Sequence, residues 1–206
     1  EEEFETEVPV EIISRSEFQT QSEANGSTET AYGAWNNQVW EALFVVGEGT
    51  DVQAELRTTV GSSTAGFYAP GDDRIRIVTD TPARPTIDNA TLVHELVHAL
   101  QDQDGGLGER LGSATTQDGD LAVDGVVEGE ANYVERRYAD RCGAEWDCVA
   151  TPAGGSPGGD RPNLGILLTL LQPYSDGPVY VDWLRERGGW DAVDAKLATP
   201  PASSEQ

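Results

Sequence analysis

Both histidines of this 206-residue chain stand four positions apart, as His94 and His98 in the run TLVHELVHALQDQ. On a helix that spacing puts the two imidazoles on one face, one turn apart. Leu92, Val93, Leu96, Val97 and Leu100 surround them, so the helix is buried and another element must cover the imidazole face. Asp88 or Asn89 is placed to cap it, the helix is expected from about Ala90 to Gln103, and the glycines of GGLG end it. Whatever fold the chain adopts must be built around this one helix.

The run reads H-E-x-x-H, with Glu95 beside His94. Two imidazoles from successive turns can start a tetrahedral Zn²⁺ site, and a glutamate next to the first reaches a zinc-activated water as general base. With no third histidine, the remaining protein ligand must be a carboxylate or a cysteine. The segment DLAVDGVVEGEANYVERRY, expected as a helix from about Asp118 to Arg141, offers Glu128 and Glu130. They lie about 200° apart, so only one can face the ion. Glu128 shares a narrow polar face with Asp124, Asn132 and Glu135, whereas Glu130 sits in the apolar arc of Val123, Val126, Val127, Tyr133, Val134 and Tyr138. Glu128 is therefore favoured as the third ligand. Glu130 is the rival, otherwise expected to pair with an arginine or cap a backbone group. Asn132 and Asp124, one turn either side of Glu128, are candidates to orient a ligating histidine.

HELVHALQDQ followed by VVEGEANY resembles the gluzincins, the thermolysin-like and aminopeptidase-like zinc peptidases. In the aminopeptidase branch an Asn-Glu-Gly-Phe-Ala run supplies the metal-binding glutamate. Val127-Glu128-Gly129-Glu130-Ala131 is similar to it in the Glu, Gly and Ala, and departs at the first and fourth positions. The chain also resembles a group of bacterial and archaeal metallopeptidase-like proteins through GFYAPGDDRIRIV, HELVHALQDQ, VVEGEANYV, PYSDGPVYVDWLRERGGWDAVD and PPASSEQ, which together span roughly residues 66 to 206. Chains of that group usually continue beyond the position of Gln206.

The resemblance implies an α+β, zincin-like fold. A small N-terminal sheet with an edge hairpin packs on the active-site helix, and a mainly helical part follows. One catalytic domain would span 1–206, with an α+β lobe over 1–105 and a helical lobe over 106–206. The implied activity is peptide-bond hydrolysis by a metal-activated water, with Glu95 as base. Since both histidines bind metal, a tyrosine hydroxyl is the natural donor to the oxyanion: Tyr174 in PYSDG, with Tyr180 second. The alternative is a non-catalytic, zinc-stabilised extracellular or envelope binding domain, in which Glu95 would have no use.

Elsewhere the pattern is coarser. VPVEIIS (Val8 to Ser14) reads as a strand followed by a polar loop through Gly26 and Ser27. Trp35, Val39, Trp40, Leu43 and Phe44 recur at helical spacing from Tyr32 to Val46 and are expected in the core. A short helix is expected from Asp51 to Val60. Phe67-Tyr68 and Ile75 to Val78 flank Pro70-Gly71-Asp72-Asp73 as a hairpin, whose strand Arg74 to Val78 is expected to pair with an extended peptide. Ala150 to Asn163 is a Gly/Pro-rich loop. Leu164 to Leu171, Gly177 to Gly188 and Gly189 to Leu197 are expected as three separate helical pieces.

Asp and Glu number 37 against 13 Lys and Arg, a net charge of −24, and Lys196 is the only lysine. Such a surface repels nucleic acid phosphates and anionic membranes, which are set aside as partners, while the peptidase resemblance implies a peptide or protein substrate. Carboxylates in place of lysine resemble proteins of high-salt organisms, where self-repulsion is screened within about 3 Å. No apolar run is long enough to span a membrane. Cys142 and Cys148, in RCGAEWDC, are expected to form a local disulfide, which implies an extracellular or cell-surface setting. The first residue is Glu1 rather than Met, as expected if a leader has been removed.

Overall fold

The computed structural model describes residues 3–25, 31–148 and 163–205, and is an α+β, mostly helical protein with a small three-stranded sheet. Strand β1 (Val10–Ser14) runs parallel to β3 (Arg74–Thr79), which pairs antiparallel with β2 (Gly66–Ala69). The 70–73 turn closes the β2–β3 hairpin in the expected place, with Asp73 at φ 50 and the Asp72 N–H donating to Ala69 O. The order β1-β3-β2 puts β3 in the middle. Both its edges are taken, so the expected docking of a peptide on Arg74–Val78 is overturned; the free edges belong to β1 and β2.

Alternation along β3 buries side chains on both faces. Ile75 and Ile77 join Tyr68 in the main core, while Val78 packs with Ile13 and Phe18 in a smaller one. Helix α1 (Arg15–Asn25) covers that second face. A polar loop was expected there; Phe18 is the one apolar anchor that holds a helix in otherwise polar sequence.

Helix α2 (Ala31–Ala42) ends earlier than expected, because Phe44 turns left-handed at φ 58 and the Val45 and Val46 N–H groups close back on Trp40 O. The turn folds Val45 and Val46 back against Trp40. Trp40 and Val46 are buried with Val52 and Ile166, but Trp35, Leu43 and Phe44 are exposed rather than in the core, Phe44 at 93%. Helix α3 (Val52–Ser63) is capped by Asp51.

The main core lies between the sheet and four helices: α4 (Asn89–Gly105), α6 (Gln117–Ala139), α7 (Leu164–Gly188) and α8 (Trp190–Ala198). A short α5 (Leu107–Leu111), absent from the sequence reading, buries Leu107 below α4. Helix α7 is one helix, not two pieces, despite Pro173 and Pro178 inside it. A proline removes the bond to the carbonyl four residues back. For Pro178 that carbonyl belongs to Tyr174, and Arg136 Nη2 of α6 donates to it instead at 3.1 Å.

Helices α6 and α7 meet through glycine. A Cβ on Gly177 would stand 2.3 Å from Gly125 O, and one on Gly129 2.6 Å from the Gly177 carbonyl. Only backbone-to-backbone contact fits, and it brings Tyr174 of α7 opposite Glu128 of α6. Cys142 and Cys148 are disulfide-bonded just beyond α6, with Cα atoms 5.4 Å apart. Among the described residues no helix is long and apolar enough to cross a membrane. The Gly/Pro-rich stretch falls almost wholly outside the described residues.

Candidate metal centre

Asp88 caps α4 by accepting from Thr91 N–H at 3.0 Å, and Gly106, left-handed at φ 72, stops it. Between these ends the helix buries His94, Glu95 and His98, all under 9% exposed. The two rings meet edge to face with centroids 4.7 Å apart. His94 Nε2 is 3.1 Å from His98 Nε2 and 3.1 Å from Glu128 Oε2, and His98 Nε2 is 3.5 Å from the same oxygen. Donor atoms of His94, His98 and Glu128 all lie within 4.8 Å of one another, and the group could hold a metal ion. Of the two rival glutamates, Glu128 joins the histidines and Glu130 does not.

The far nitrogen of each ring is engaged. His94 Nδ1 is 3.1 Å from Glu135 Oε2, and His98 Nδ1 is 2.9 Å from Gln101 Oε1. If each Nδ1 carries its hydrogen toward these acceptors, both Nε2 atoms present lone pairs to one another and to a carboxylate oxygen. Three acceptors at 3.1–3.5 Å repel unless a positive charge sits among them. The donor set thus fits a cation, and in its absence a proton takes that role. Burial alone would lower the His94 pKa, but Glu128 and Glu135 outweigh it and hold the ring up at about 10. Burial would likewise raise Glu128, yet its bonds to His94 and His98 hold it at about 2.

Neither expected orienting residue takes that part. Asn132 Nδ2 donates to the Glu128 backbone oxygen at 3.0 Å. Asp124 is half-buried, and burial, then the charges of Glu128 and Asp120, push it up to about 6. Glu135 and Gln101 hold the rings instead. Both were legible by spacing: Gln101 is three residues beyond His98 and Glu135 is seven beyond Glu128, each on the same helix face as its neighbour. Glu130, 7% exposed, accepts from Gln101 Nε2 at 2.8 Å.

Glu95 lies near enough to His98, His94 and Glu128 to feel their charges, and it also reaches the sheet. Its Oε2 accepts the Tyr68 N–H at 2.8 Å, from the outer edge of β2. Burial raises its pKa, against the pull of His98 and His94. Tyr174 lies over the centre, its ring stacked on His94 with centroids 6.1 Å apart and planes 15° apart. Burial and then the Glu128 charge push its hydroxyl far above the usual phenol range, so it keeps its proton. Tyr180, the second choice, lies further along α7 and is stacked on Trp183 with centroids 5.9 Å apart.

No protein-family model, curated protein or solved structure matches the chain. The functional reading therefore rests on the residues themselves.

Proposed function

We propose that this protein is a zinc-dependent peptidase with a zincin-like, gluzincin-type centre. The observation that carries the reading is the convergence of His94, His98 and Glu128 with a buried Glu95 alongside. A tetrahedral ion with bonds of 2.0–2.1 Å holds its ligand atoms about 3.3 Å apart. The donors already stand 3.1, 3.1 and 3.5 Å apart. Two imidazoles and one carboxylate suit zinc, and three protein ligands leave a position for solvent, which a structural site would fill.

When bound, zinc supplies Lewis acidity toward water and toward the scissile carbonyl. The remaining chemistry belongs to the chain. Glu95 takes the proton of the attacking water and returns it to the leaving amine, a task suited to a carboxylate whose proton affinity burial has raised. The Tyr68 N–H holds one oxygen of Glu95 and fixes where the other points. Tyr174, still protonated and seated over His94, donates to the developing oxyanion. The outer edge of β2 lies beside the centre, but its Tyr68 amide is taken by Glu95, so an extended peptide would pair only with the rest of that edge. The disulfide supports an extracellular or cell-surface setting, and the net charge of −24 supports a high-salt one.

The decisive experiment is Glu95→Gln. The variant should keep one zinc per chain by elemental analysis and lose peptide hydrolysis by 10²-fold or more, on the order expected for a general base. If the zinc-loaded native protein cleaves no peptide library, the non-catalytic zinc domain replaces this reading.

A further inference from the structure

Gln101 is 4% exposed, and three of the four hydrogen-bonding directions of its amide are in use. Nε2 donates to Val127 O at 3.0 Å and to Glu130 Oε2 at 2.8 Å, while Oε1 faces His98 Nδ1 at 2.9 Å. Turning the amide over would set its oxygen against a carbonyl and a carboxylate, two acceptor–acceptor contacts in a buried site. The amide has one stable orientation, and its oxygen must receive a hydrogen from His98 Nδ1. With the hydrogen there, Nε2 of neutral His98 carries the lone pair.

We propose that Gln101, locked by Glu130 and Val127, is a positioning residue that selects the Nε2-ligating tautomer of His98. The inference rests on the metal-site reading and gives Glu130 a function: it reaches the centre through an amide rather than by ligating. It also makes the two histidines unlike. His94 leans on a carboxylate that is partly exposed, whereas His98 leans on a neutral amide held from behind.

The test uses Gln101→Leu, Gln101→Glu, Glu130→Gln and the double variant Gln101→Glu/Glu130→Gln in the full chain. A glutamate at 101 still accepts from Nδ1 but opposes Glu130; in the double variant the glutamine at 130 donates across the same gap. Zinc affinity is read by chelator competition, and the His98 tautomer by ¹⁵N shifts in the metal-free protein. Gln101→Leu should bind zinc 10–100-fold more weakly, the usual effect of losing such a partner. It should also lose the single Nδ1–H tautomer, with the helical circular dichroism kept. The swapped pair should recover affinity over Gln101→Glu alone. Unchanged zinc affinity in Gln101→Leu, or Nε2–H as the dominant tautomer in the native protein, would overturn the proposal. Should Gln101→Leu fail to fold, the swapped pair decides it: no recovery means no lock. Native protein that binds no zinc would sink the metal reading itself, while the tautomer measurement would still stand.

Discussion

Tyr174 shows how much one side chain's placement depends on others. Its ring lies on His94, its hydroxyl is kept protonated by burial and Glu128, and its backbone oxygen is held by Arg136 because Pro178 cannot hold it. A donor to the oxyanion matters only in the transition state, so Tyr174→Phe should lower kcat about 10²–10³-fold with little change in KM. Zinc content should stay at the native level. Steady-state kinetics beside elemental analysis checks both; a rise in KM alone would mean that the ring merely binds substrate. The proline and glycine of PYSDGP read as helix breakers, yet here they lie within the one helix that seats Tyr174 on His94.

At the level of elements, legibility followed how local the determinants are. Helix α4 was readable to within two residues because cap, apolar periodicity and glycine stop are all in its own sequence. The Pro-Gly-Asp-Asp hairpin was readable for the same reason. Helix α7 was not, because what carries it through two prolines is a partner: Arg136 and the glycine contact lie on α6. Nor was the exposure of Leu43 and Phe44, since the chain leaves α2 at Ala42 and turns left-handed at Phe44. At the centre, ligands could be chosen from a polar stripe on one helix, and Gln101 follows His98 on its own helix, but which ring Glu135 meets depends on how α6 crosses α4. The α6–α7 crossing makes a sharp demand. Gly177→Ala would drive a methyl to 2.3 Å from Gly125 O and force the helices apart. We expect about 3 kcal/mol less stability in denaturant unfolding, the upper end for overpacking, together with weaker zinc binding as Glu128 shifts. The tail is a milder joint: Ser204 donates to Asp118 at the start of α6, and its bonds with those of Ser203 hold Asp118 below its ordinary 3.8. An acid with a lowered folded pKa stabilises above its unfolded value and loses that as pH falls through the folded one. Amide-exchange protection factors at residues 199–205 should therefore be higher at pH 5 than below about pH 3.8, and Ser204→Ala should show low protection at both.

For the whole molecule the governing quantity is charge. At −24 with one lysine, the folded surface repels itself, and salt bridges such as Arg15–Asp80 and Arg76–Glu11 offset little of it. Screening to about 3 Å at 1 M salt removes most of that repulsion. The purified protein should lose helical circular dichroism in low salt and regain it above roughly 1 M; full structure in dilute buffer would contradict the high-salt reading.

Helix α6 contributes Glu128, Glu135 and, through Gln101, the hold on His98. A chain leaving the ribosome thus displays His94, Glu95 and His98 some thirty-odd residues before their counterparts emerge, and Tyr174 later still. On the peptidase reading proposed above, the nascent polypeptide would stay chemically silent through synthesis, with the order of its own translation as a safety catch.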